Sequence, residues 1–197
     1  MKRLCILLAL TCLGPTAAGA QHGGTDAPAT PYAGLETRDI KSLSDSDIEE
    51  LRRGGGWGLA LPAELNGKPG PAHLLELQAE MDLSDEQVQQ ITRLFEDMRR
   101  EAMVVGERLI SAEAALSTAF ENDSLGAAEL ERLIEAAETA RAELRFIHLS
   151  RHLATVPLLT QHQIQQYQVL RGYTSDPCAN IPDGHNPEMW KKHNGCL

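Results

Sequence analysis

From Val88 to Ala119 the apolar and small residues recur at intervals of three and four without a break: Val88, Ile91, Phe95, Met98, Ala102, Val105, Leu109, Ala112, Leu116 and Ala119. A helix needs that period to keep one stripe on one side, and a strand, whose side chains alternate faces at every residue, cannot use it. The spacing predicts one helix from about Asp85 to Phe120, roughly 54 Å long at 1.5 Å per residue, lying along a partner helix. Gly106 weakens it only locally. Asn122-Asp123-Ser124 breaks the pattern. A second long helix starts near Ala127 and carries Leu130, Leu133, Ala137, Ala140, Leu144 and Ile147 at the same spacing, so the two predict an antiparallel hairpin.

Shorter helices flank the hairpin. Ser46 with Glu49 reads as the capping box of a helix bearing Ile48 and Leu51 and stopping at Gly54. Pro71 opens another, with Leu74, Leu75 and Leu77, ending near Met81. Pro157 should end or kink the second long helix, after which Thr160 caps a last one with Ile164, Tyr167 and Leu170, stopping at Gly172. No segment reads as a strand. The fold class is therefore all-α, a long antiparallel hairpin with short flanking helices. With eight aromatic residues (2 Trp, 3 Tyr, 3 Phe) and slender helices, a monomer would have difficulty covering its stripes, which points to a homodimer. The loop Gly54-Gly55-Gly56-Trp57-Gly58 lacks the Lys-Ser/Thr ending and preceding strand of a phosphate-binding loop and reads as a flexible connector.

Lys2 and Arg3, the apolar run Leu4 to Leu13 and the small residues Ala18-Gly19-Ala20 read as a secretory signal peptide over 1–20. Cys12 is a poor lipidation site, since Ala9-Leu10-Thr11 lacks the small residues expected before it. Residues 21–34, rich in Gly, Ala, Thr and Pro, read as a flexible leader, followed by a helical domain over 35–173 and a tail over 174–197. The expected location is the periplasm, as a soluble domain. The chain has 18 Lys and Arg against 28 Asp and Glu, a net charge of −10; loss of Lys2 and Arg3 takes it to −12, which argues against nucleic acid as a partner. Cleavage would also remove Cys5 and Cys12. That leaves Cys178 and Cys196, for which an oxidising compartment makes a disulfide the default.

One helix-start device occurs twice. Leu83-Ser84-Asp85-Glu86-Gln87-Val88 returns as Leu159-Thr160-Gln161-His162-Gln163-Ile164. Ser84 and Thr160 can cap while Gln87 and Gln163, at the third helical position, reach back to the cap. Leu83 with Val88, and Leu159 with Ile164, match a hydrophobic staple. These paired Leu-Thr-x-x-Gln motifs, with Ser for Thr in the first, on an exported helical chain resemble the Spy/CpxP-like family of periplasmic chaperones and their metal-responsive relatives, over about Leu35 to Tyr173. The resemblance implies a curved antiparallel helical dimer that holds unfolded or misfolded envelope proteins without ATP, and a membrane sensor protein as a candidate regulatory partner. This chain departs from the family in charge: family cradles favour basic surfaces, whereas this one is acidic, so apolar rather than electrostatic capture is expected. The tail lies outside the resemblance.

His148 and His152 stand four apart on the second long helix, a spacing that can share Zn, Cu or Ni. A structural zinc needs four ligands, and the sequence does not choose among His73, His162 or a carboxylate for the rest. Leu149 and Leu153 beside them make a packed face the plainer alternative. Cys178, His185, His193 and Cys196 can also be written as a metal set, at a spacing that fits no common finger. Asn186 as cap, Pro187 at the first position and Asn194-Gly195 as stop predict a small helix that a Cys178–Cys196 bond would staple. No Gly-x-Ser-x-Gly, His-Glu-x-x-His or nucleotide fingerprint occurs, so no enzyme and no required cofactor are expected. The reading is an ATP-independent chaperone or envelope-stress adaptor, with a periplasmic heavy-metal sensor or buffer as the alternative.

Overall fold

The computed structural model describes residues 30–121, 123–194 and 196. The expected signal peptide over 1–20 and residues 21–29 of the expected leader lie outside the described residues. The chain divides into Met1–Ala33 and Gly34–Leu197, and among the described residues every helix belongs to the second unit. Helix α1 spans Asp45–Arg52, α2 Leu61–Glu64, α3 Pro71–Glu76, α4 Asp85–Ala119, α5 Ala127–Thr155, α6 Gln161–Leu170 and α7 Pro187–His193. Short 3-10 turns cover Leu35–Thr37 and Val156–Leu158, the second holding Pro157 where α5 ends. Among the described residues there is no strand, and no helix is long and apolar enough to cross a membrane.

The chain is all-α, with α4 and α5 packed along each other. Three ion pairs record their antiparallel direction: Glu101 with Arg151 at 2.7 Å, Arg108 with Glu143 at 2.5 Å and Glu113 with Arg141 at 2.7 Å, one residue number rising as the other falls. The period-3.6 stripes form the seam. Ile91, Ala102 and Leu109 of α4 are fully buried, as are Leu144 and Ala137 of α5 to within 2%. Short helices cover part of the stripes: α1 and α3 lie on α4, and Leu51, Leu74 and, just before α1, Leu43 join the core from outside the hairpin, while Ala112, Leu116 and Ala119 at the far end of α4 are half-buried. One core gathers Leu43, Leu51, Val105, Leu109 and Leu144; a second, at the start of α4, gathers Leu74, Met81, Ile91 and Tyr167.

Three local expectations are corrected. First, α1 is capped by Ser44 with Asp47, two residues before the expected Ser46 and Glu49. Both pairs have capping-box spacing, but only Ser44 has a hydrophobe just before it and another four helical positions on. Leu43, 1% exposed, and Ile48 join the same core, so the staple selects the register. Second, α3 ends at Glu76 rather than near Met81. Leu77 to Asp82 form irregular turns, with Asp82 at φ 46, because Met81 is drawn into the core against Ile91 and Tyr167 before α4 begins.

Third, the Gly54–Gly58 segment is pinned rather than a loose connector. The Trp57 backbone N–H donates to Glu50 Oε1 at 3.0 Å, its indole Nε1–H donates to Asp47 Oδ1 at 2.8 Å, and the Arg141 guanidinium lies 4.9 Å from its ring centroid. Helix α1 still stops at Gly54, where the Gly54 and Gly55 N–H groups close onto the Leu51 and Glu50 carbonyls. Gly106 has a reason that the stripe does not reveal: a Cβ there would fall 2.7 Å from the Leu51 carbonyl oxygen, so glycine lets α1 lie directly on α4.

Candidate functional site

The two motif copies meet. Ser84 caps α4 and Thr160 caps α6, each accepting from the backbone N–H three residues on, at 3.2 and 3.1 Å. Gln87 Oε1 and Gln163 Oε1 return the bond to the Ser84 and Thr160 N–H groups at 2.9 and 3.0 Å. That leaves each amide NH2 pointing outward, and each finds the other oxygen: Gln87 Nε2 donates to Gln163 Oε1 at 2.9 Å and Gln163 Nε2 donates to Gln87 Oε1 at 3.1 Å. Gln87 Nε2 also donates to the Leu158 carbonyl at 2.7 Å. Beside this clasp, Leu83 and Leu159 pack on the core around Tyr167. Glutamine is required at both places because a reciprocal pair needs a donor and an acceptor on each side, and a carboxylate only accepts.

A third copy of the device escaped the sequence reading. Leu43-Ser44-Asp45-Ser46-Asp47-Ile48 has the same hydrophobe, cap and β-branched positions, with Asp in place of Gln. The partner explains the exchange: Asp47 faces the Trp57 indole N–H, a donor only, so a pure acceptor suits it. Hydrogen bonds from the Ser44 hydroxyl and backbone N–H, and then from Trp57, hold the Asp47 carboxyl below its ordinary value.

His148 and His152 are buried, 3% and 7% exposed, and both line a cavity of about 360 Å³ between α5 and the layer of short helices. His152 Nδ1 lies 2.6 Å from the Lys68 carbonyl, which can only accept, so Nδ1 carries the hydrogen and Nε2 is the lone-pair nitrogen of the uncharged ring. Gly70 makes room for that imidazole, since a Cβ there would fall 2.6 Å from it. His148 Nε2 is buried without a hydrogen-bond partner. Burial, and then the charge of His152, push the His148 pKa below its ordinary value.

Glu64 of α2 joins them, 6% exposed. Its Oε1 accepts from the Tyr167 and Tyr173 hydroxyls at 2.5 and 2.9 Å, with Arg171 Nε at 3.4 Å. Its Oε2 has no hydrogen-bond partner and lies 3.9 Å from His152 Nδ1, too far for a hydrogen bond. Burial first, then the bond to Glu64, push the Tyr167 pKa strongly upward. Sequence reasoning missed Glu64; its only signal was a Glu in a short, Pro-led turn of helix.

Of the suggested further metal ligands, His73 lines the same cavity and pairs with Glu76 at 2.9 Å, whereas His162 borders a different hollow beside the tail. Among the described residues no group of three or more His, Cys, Asp or Glu is placed to hold a metal ion. Cys178 and Cys196 form a disulfide, with Cα atoms 5.6 Å apart, which withdraws both thiolates from the alternative Cys/His set. Asn186 caps α7 inside this loop, and the Trp190 indole N–H donates to the Pro177 carbonyl at 2.8 Å.

The opposite side of the hairpin is open. Val104 is 63% exposed, Phe146 71% and Leu153, two turns beyond Phe146, 66%. Val104 and Phe146 line a shallow groove along α4 and α5 to which no residue of α1, α2 or α3 contributes. The charges beside it are matched, with Arg108 paired to Glu143 and Arg151 to Glu101 across the hairpin.

No family model, curated protein or solved structure matches the chain.

Proposed function

We propose that this protein is a periplasmic, ATP-independent chaperone that holds non-native envelope proteins on the open face of its hairpin. The observation that carries the reading is the row Val104, Phe146 and Leu153, large apolar side chains left in solvent although Ala102, Leu109 and Leu144 on the other side of the same helices are fully buried. Isolated exposed hydrophobes are ordinary, but a row along two packed helices is the kind of surface that marks an interaction site. The matched ion pairs beside it agree with capture through apolar contact in a chain of net negative charge. The disulfide supports an oxidising compartment.

The test is aggregation of a chemically denatured client diluted into the mature protein without nucleotide. Wild type should suppress light scattering, equally at low and high salt, since screening weakens exposed charge pairs and leaves apolar burial intact. The double variant Val104→Asp, Phe146→Glu should lose most of that protection while keeping its helical circular dichroism, because both sites are exposed. Full protection by the variant, or protection that vanishes at high salt, would overturn the reading. Static light scattering at micromolar concentration decides whether a second copy uses the same row.

A further inference from the structure

We propose that the cavity between α5 and the α1–α3 layer is a binding site for a small organic ammonium ion with an apolar body. Three polar side chains of its wall carry the inference. Glu64 and His148 line the cavity with side chains more than nine-tenths buried, and Glu64 Oε2 and His148 Nε2 have no hydrogen-bond partner. His152 lines the same space with its Nδ1 hydrogen already given to the Lys68 carbonyl, which leaves a lone pair on Nε2. Buried polar atoms are almost always paired, so two unpaired ones on residues of one cavity mark a place meant to be filled.

The chemistry of the walls selects the occupant. The titratable lining residues are Glu50, Glu64, His73, His148 and His152, with no Lys or Arg. Such a wall offers acceptors and negative charge and rejects anions. A protonated amine, with a positive charge and three N–H groups, is the smallest organic group that suits such a wall. Trp57, Phe95 and Met98 supply the apolar remainder of the wall, suited to an aromatic or alkyl body. A metal ion fits less well, since no set of three ligating residues is in place among the described residues. The site is separate from the open hairpin face, so its failure would leave the chaperone reading untouched.

Isothermal calorimetry of the disulfide-intact mature protein with 2-phenylethylammonium tests the site. 2-Phenylethanol has nearly the same shape without the charge, phenylacetate carries the opposite charge, and zinc chloride serves as the metal arm. The ammonium should bind one to one, about tenfold or more tighter than the alcohol, as expected for losing a charge-assisted hydrogen bond. Phenylacetate should not bind. Long-range proton–nitrogen spectra of the histidine rings should show the His148 Nε2 signal moving as the ammonium is added.

Glu64→Gln should abolish the preference for the cation. Should that variant unfold through loss of its tyrosine bonds, Ala60→Phe, which fills the cavity from its wall, should abolish binding on a folded chain. Equal affinity for alcohol and ammonium, no ammonium binding up to about 10 mM, which is weaker than any useful site, binding retained by the folded Ala60→Phe variant, or zinc binding tighter than the amine through His148 would each overturn the proposal.

Discussion

Gln87 and Gln163, 76 residues apart, exchange amide hydrogen bonds while each also accepts from the backbone of its own cap. The duplicated motif is therefore one clasp divided between the starts of α4 and α6. Each half leaves a donor that only the other half answers.

That reciprocity predicts non-additive loss. Gln87→Ala and Gln163→Ala should each cost about 1 to 3 kcal/mol, since each strands a partly buried partner amide. The double variant should cost less than the sum by about 0.5 kcal/mol or more. Urea denaturation of the four proteins checks it, and strictly additive costs would mean the amides do not couple. Thr160→Ala, which removes only the cap, should cost about 0.5 to 2 kcal/mol.

Gly106→Ala sets helix propensity against packing. Alanine is better in a helix by about 1 kcal/mol, but its Cβ would stand 2.7 Å from the Leu51 carbonyl oxygen, a backbone atom that can move only with α1. Overpacking of this kind costs about 1 to 3 kcal/mol, so the variant should melt at lower temperature than wild type. A higher melting temperature would show that α1 shifts without penalty.

Acid should weaken the fold through His148. Its folded pKa lies below the ordinary 6.5, chiefly through burial and then through His152, with hydrogen bonding to the Gly55 backbone and the charge of Glu50 opposing. Above 6.5 neither state is protonated there and the group is neutral in the balance. As pH falls through 6.5 the unfolded chain takes up a proton that the folded chain refuses, so stability drops until the folded pKa is reached. Urea midpoints of wild type and His148→Gln at pH 7.5, 6.5 and 5.5 should diverge, with wild type falling further. Parallel decline would remove His148 from the account.

Cys178→Ser should loosen the tail and spare the hairpin. The bond spans a sequence separation of 18, for which the chain-entropy model gives about 3 kcal/mol of local order. Helix α7 has seven residues and no buried side chain, too little to persist once the loop is opened. Limited proteolysis after reduction should cut between 178 and 196 while the main melting transition stays within a few degrees. Loss of that transition would place the tail within the cooperative fold.

Much of the architecture was legible in the chain because it depends on local periodicity. The three-and-four stripe marks α4 to within a residue of Asp85–Ala119, and the caps, Pro157 and Gly172 mark the limits of the later helices, since capping and proline effects act within a turn. Where two local signals competed, contact with distant residues decided. Ser44 prevails over Ser46 because Leu43 and Ile48 find the core, and α3 stops early because Met81 is needed beside Tyr167. The candidate functional surfaces were the least legible. The stripe puts Val105 in the seam and Val104 off it, but nothing in the sequence says that the side bearing Val104 stays uncovered, nor pairs Glu64 with Tyr167 across 103 residues. Periodicity assigns a residue to a side of its own helix. Which side is covered, and which buried polar atom goes unanswered, depends on where the other helices come to rest, and only the tertiary structure decides that.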